Sequence, residues 1–188
     1  MTGITLLLAA LVLFTAWAAY VDWRTGHIPN RLVLFGMAGG VLLRAAVALL
    51  EPVAGLSTAA ALGRAVGGAL LGAVGCALVP LLLFRLNTMG GGDVKLLAAL
   101  GAATGLRLGL EVELTAFVLV ALYAPARMAY EGRLLRLLGN SVALLVNPLL
   151  PKSRRRDVPE ALLTSLPFGP AVFLASLLVA VSRLWGAG

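Results

Sequence analysis

Asp22 and Asp93 are the two side chains in this sequence best placed to do chemistry. Each stands where an apolar run long enough to cross a membrane meets a polar segment. Asp22 lies in Tyr20-Val21-Asp22-Trp23-Arg24-Thr25-Gly26-His27-Ile28-Pro29-Asn30, and Asp93 in Met89-Gly90-Gly91-Gly92-Asp93-Val94-Lys95-Leu96. Two carboxyl groups held a few ångströms apart cannot both ionise easily, so one keeps a proton while the other stays anionic. The anion takes a proton from water as that water attacks a carbonyl carbon, and the protonated partner donates to the carbonyl oxygen. Such a pair titrates as one coupled unit. It needs no metal, cofactor or covalent intermediate to hydrolyse a peptide bond. Cys76 is the single cysteine, which excludes a disulfide framework and a cysteine-based zinc site. His27, the single histidine, reads as a loop residue, since an aspartate pair already supplies both acid and base.

Each aspartate also has a structural reading. Asp93, after three glycines, suits an N-cap on the helix that follows. Asp22 suits an interfacial acid beside Arg24, but it closes a helix, where the macrodipole disfavours an anion. An acid set against its local electrostatics is there for another purpose. The glycines would let backbone approach a substrate strand and expose amide donors. Lys95 would either steady the anionic form of Asp93 or snorkel to the interface.

Membrane helices must position these residues. Hydrophobic residues make up 61% of the chain and charged residues 12%, with a mean hydropathy of +1.00, far outside the soluble globular range. The 188 residues read as an all-α polytopic membrane protein with about six spans, in one membrane-embedded domain covering 1–188. The spans fall at residues 4–21, 32–50, 65–84, 94–110, 114–127 and 168–184. The fourth is the weakest, because its strongly apolar part stops near Thr104 and Arg107 would have to snorkel. Glycines four apart, at Gly36 and Gly40, Gly63 and Gly67, Gly68 and Gly72, and Gly101 and Gly105, suit close helix crossings.

Taken alternately, the loops give an orientation. Of the 15 basic residues, 11 fall on the side of Asp22 and Asp93, while Arg44, Arg64, Arg107 and Arg183 fall on the other. Cytoplasmic loops retain Lys and Arg, so both aspartates are expected at the cytoplasmic face and both termini outside. The net charge of +7 is therefore a topology signal, and no motif supports nucleic-acid binding. The amphipathic spacing of residues 131–138 and the basic run at 152–156 suit contact with the inner leaflet.

In these motifs the chain resembles the type IV prepilin peptidases, membrane aspartyl proteases of the GxGD type. Gly90-Gly91-Gly92-Asp93-Val94-Lys95-Leu96 is similar to their GxGDxKL signature, and Asp22 with Arg24 and Ile28-Pro29-Asn30 is similar to their first-aspartate segment. Leu166-Pro167-Phe168-Gly169-Pro170, opening the last span, is similar to a further motif. The resemblance implies cleavage, at the cytoplasmic face of the inner membrane, of the short basic leader of prepilins or pseudopilins, after a glycine that precedes their hydrophobic helix. It implies Asp22 and Asp93 as the catalytic dyad, and Gly90, Gly92 and Lys95 in the active-site loop. Pro29, Asn30 and Pro167 would shape neighbouring turns. Bifunctional members also methylate the new amino terminus and carry paired CxxC motifs that this sequence lacks, so no N-terminal methyltransferase region is expected. The short form resembles the peptidase-only enzymes of Flp-type, or tight-adherence, pili, and archaeal preflagellin peptidases share its logic. Two other classes stay open: a non-catalytic membrane protein of pilus or secretion assembly, and a small proton-coupled transporter. The second is disfavoured because no expected span has an acid near its middle.

Overall fold

A computed structural model describes residues 3–86, 88–130, 132 and 168–186. The described residues form six helices and no strand: α1 Gly3–Thr25, α2 Asn30–Leu50, α3 Thr58–Arg85, α4 Gly91–Thr104, α5 Leu106–Tyr130 and α6 Gly169–Trp185. The amphipathic segment at 131–138 and the basic run at 152–156 lie outside the described residues, Gly132 apart. The chain divides into two compact units, Met1–Phe117 with Pro167–Gly188, and Val118–Leu166. The second is described only over the later half of α5 and at Gly132.

The all-helical reading holds. Helices α1, α2, α3 and the stretch Leu106–Arg127 of α5 are long and apolar enough to cross a membrane, whereas α6, at 17 residues, and α4, at 14, are shorter. Leu13, Phe35 and Leu42 are about 70% exposed and Trp17, Leu71 and Leu82 more than half, a surface that lipid rather than water must cover. Inside, Thr15, Thr104 and Ser176 each donate to the carbonyl four residues earlier, at 2.8 to 2.9 Å. Such local bonds satisfy hydroxyls where no water is present.

Helix α4 is the core of the first unit. It packs against α1, α2 and α3, with Leu96, Leu97, Ala99 and Leu100 fully buried. A helix apolar on every side has to be enclosed, and glycine lets the enclosure close. Gly72 of α3 and Gly101 of α4 face each other so closely that a Cβ on either would strike the other's carbonyl. Gly40 of α2 meets Ala103 in the same way, and Gly36 makes room for Phe14 of α1. Gly63 and Gly67 face open space, so that pair makes no crossing.

The fourth helix ends at Thr104, not Leu110. Gly105 adopts φ +83°, a left-handed conformation that glycine enters without strain, and its N–H bonds the Gly101 carbonyl at 2.7 Å. Leu106 begins α5, so Arg107 stands in a first turn, and Glu111 and Glu113, expected between spans, are helical. Glu113 is 3% exposed and accepts a hydrogen bond from the Cys76 thiol of α3. Glu113 thus lies within the membrane-length stretch Leu106–Arg127, whereas the expected spans at 94–110 and 114–127 leave it between them.

The close crossings give a direct test. Gly101→Val, by forcing α3 from α4, should cost more than about 3 kcal/mol and lower the melting temperature of the detergent-purified protein by several degrees. Gly63→Ala, which meets nothing, should leave it unchanged or slightly higher.

Candidate active site

Asp22 lies inside α1, which continues to Thr25, and its side chain is only 6% exposed. A buried carboxylate beside the closing carbonyls of a helix is in an unfavourable field. The compensation comes from the start of α6, where the Gly169 N–H donates to Asp22 Oδ2 at 2.8 Å. Gly169 is the first residue of α6, so this N–H is one of the donors that every helix start leaves unpaired, at the positive end of its dipole. Glycine is required there, because a Cβ would come within 2.9 Å of both Cβ and Oδ2 of Asp22. Phe168 is buried with its ring 5.6 Å from that of Phe117, which fixes the entry into α6. Pro170 occupies the first turn, where its missing N–H leaves no bond unmade. Pro167 lies outside the described residues.

Asp93 is not the N-cap of α4. Gly90 takes that position, Gly91 and Gly92 are helical, and Asp93 is the third helical residue. From there its carboxylate reaches back to accept from the Gly90 N–H, as the acid of a capping box does. A glycine cap has no side chain to offer, so the acid three residues on supplies the acceptor. Gly90 also leaves space for it, since a Cβ there would lie 3.1 Å from Asp93 Oδ2. The next two glycines serve as a seat for α4 rather than as a flexible loop. A Cβ on Gly91 would lie 3.3 Å from the Phe84 ring, and one on Gly92 3.4 Å from Ile28, which is 2% exposed in the α1–α2 turn.

The two aspartates are brought into each other's field. Burial first, and then the negative charge of Asp22, push the Asp93 carboxyl up to about 6, against the opposing pull of the Gly90 N–H. Lys95 turns elsewhere: its Nζ donates to Asn30 Oδ1 at 2.8 Å, linking the first turns of α4 and α2 at the surface. His27 is exposed in the α1–α2 turn. The residue that sequence reasoning missed is Gly169. Its signal is a glycine set between Phe168 and Pro170 at the start of a helix.

The sequence model of the type IV leader peptidase family matches residues 9–125, more than half of the chain, including both aspartates and the Gly90–Lys95 segment. This chain belongs to the type IV leader peptidase family. No curated protein and no solved structure matches it. The leader peptidase assignment makes it a hydrolase and agrees with its apolar, membrane-length helices. Gly169 lies beyond the matched stretch, so the backbone N–H bonded to Asp22 comes from outside it.

The raised Asp93 value has a consequence for stability. Below its ordinary value of 3.8 the carboxyl is protonated in folded and unfolded chains alike. Between there and about 6 the unfolded chain ionises first, and by neutral pH the folded protein bears the full cost of a buried charge. Asp93→Asn removes that cost. It should therefore raise the melting temperature at pH 7, with the gap to the parent closing towards pH 4.

Proposed function

We propose that this leader peptidase is an aspartyl endopeptidase of the inner membrane that removes the basic leader of prepilins or pseudopilins at the cytoplasmic face, with Asp22 and Asp93 as its catalytic pair. The reading rests on one observation above others: the two acids of the stretch matched by the leader peptidase family, on separate helices, lie close enough that the charge of Asp22, after burial, pushes the Asp93 carboxyl up. The two then have distinct roles. Asp22, anchored by the Gly169 N–H, is the anion and general base; Asp93 is the protonated partner.

The proton balance closes on this pair. Asp22 takes a proton from water while the oxygen attacks the scissile carbonyl carbon, and Asp93 donates its proton to the carbonyl oxygen, giving a neutral gem-diol. Collapse returns a proton from that diol to Asp93, and the proton on Asp22 passes to the leaving amine. The peptide bond breaks and both carboxyl groups regain their starting states. Gly90, exposed and without a side chain, leaves the backbone at the mouth of α4 open to an extended substrate segment, while Gly92 seats that turn against Ile28. The Lys95–Asn30 bond keeps the first turn of α4 in place. Arg24, Arg31, Arg85 and Lys95 share this end of the bundle, which supports a cytoplasmic site and external termini by the retention of basic residues.

Co-expression with a candidate prepilin from the same genome tests the reading. The parent chain should yield the shifted, leader-less product, and Asp22→Asn or Asp93→Asn should abolish it at unchanged protein level. Cleavage that survives either change removes that aspartate from the mechanism. Gly169→Ala, which displaces Asp22 from a charge-assisted bond, should slow cleavage by about ten- to a hundredfold, measured as product against time in isolated membranes.

A further inference from the structure

The four arginines placed by sequence on the side remote from the aspartates come from α2, α3, α5 and α6, and three of them meet. Arg44, Arg107 and Arg183 line one cavity of about 540 Å³, together with Ile4, Leu8 and Leu184. Leu8 precedes Asp22 on α1 by fourteen residues, about 21 Å along the helix axis. No carboxylate lines this cavity among the described residues. Glu111 pairs with Arg183 beside it, leaving the charges of Arg44 and Arg107 to be met.

Arg44 is held in place. Its terminal nitrogens lie so close to Gly68 of α3 and Gly105 of the α4–α5 turn that a Cβ on either would come within 2.8 Å of them. Its Nε is buried with no hydrogen-bond partner. Arg44 also lines a second cavity of about 470 Å³, together with Arg64 and Glu51. Glu51 accepts the Gly3 N–H at 2.6 Å and, among the described residues, makes no hydrogen bond or ion pair with Arg44. A fixed guanidinium with no hydrogen bond or ion pair among the described residues is costly unless an anion meets its terminal nitrogens from outside the chain.

The walls say which acceptor fits. Ile4, Leu106 and Leu184 are 40 to 51% exposed around the arginines, so the site offers apolar surface together with fixed cations. A guanidinium binds phosphate oxygens in pairs, and the leucines suit acyl chains. A basic peptide would be repelled. We propose that Arg44 and Arg107, with Arg183 at the margin, bind the phosphate headgroup of an anionic phospholipid at the bundle end remote from Asp22 and Asp93. The site is independent of the chemistry at the aspartates and holds whether or not they form the catalytic pair.

The test titrates the detergent-purified full chain with phosphatidylglycerol, phosphatidylcholine or inorganic phosphate, reading bound lipid by native mass spectrometry and the melting temperature. Phosphatidylglycerol should half-saturate at a concentration about tenfold or more below phosphatidylcholine, and inorganic phosphate at the same concentrations should neither bind nor displace it. Arg107→Gln, an exposed change compatible with folding, should weaken phosphatidylglycerol about fivefold. Arg85→Gln at the opposite end should change nothing. Equal affinity for the two lipids, or equal weakening by Arg107→Gln and Arg85→Gln, would overturn the proposal. Binding of inorganic phosphate as tight as that of phosphatidylglycerol would overturn the lipid assignment in favour of a soluble anion.

Discussion

A carboxylate buried in the closing turn of a helix has to be met by a donor from elsewhere, and at Asp22 that donor is the first N–H of α6. The opposed ends of two helix dipoles thus share one anion. Much else serves that contact. Gly169 is glycine because any side chain would strike Asp22, Phe168 locks the start of α6 against Phe117, and Pro170 keeps the first turn helical without needing a donor. Burial and the charge of Asp22 together raise the proton affinity of Asp93.

Bringing Asp93 into that field is the work of α4. Lipid gives apolar helices no reason to associate, so contact has to come from shape. Gly72 with Gly101, and Gly40 with Ala103, supply that shape along the helix, while Gly91 and Gly92 supply it at the mouth, against Phe84 and Ile28. Gly105 then ends α4 by taking a positive φ. A short, enclosed helix carrying its acid in the first turn is the result. Its glycines are spread over three tasks: crossing, seating and stopping.

The sequence made much of this legible for physical reasons. Hydropathy showed the helices, because bilayer thickness imposes a minimum apolar length, and the two aspartates stood out because acids at the ends of such segments are expensive. The boundary at Gly105 was less visible, since a positive φ leaves no trace in hydropathy. The weakening of the fourth span near Thr104 was its only sign. Spacing did not distinguish Gly101, which faces a helix, from Gly63, which faces none, because the pattern carries no information on which side a neighbour lies. Asp93 read as an N-cap because capping boxes with a glycine cap are rare in the usual pattern, where the cap residue itself carries the oxygen. Glu113 falls between the expected spans for want of that same boundary. The bond from Gly169 to Asp22 joins residues far apart in the chain and uses a backbone N–H, which a sequence does not advertise.

Carboxyl infrared spectroscopy of the aspartate-labelled protein, recorded as a function of pH, addresses the central claim most directly. A protonated carboxyl band should titrate near pH 6, disappear in Asp93→Asn, and move to lower pH in Asp22→Asn while staying above the ordinary aspartate value, because burial remains after the neighbouring charge is gone. A band whose midpoint is the same with and without Asp22 would contradict it, since the two carboxyl groups would then be titrating as strangers.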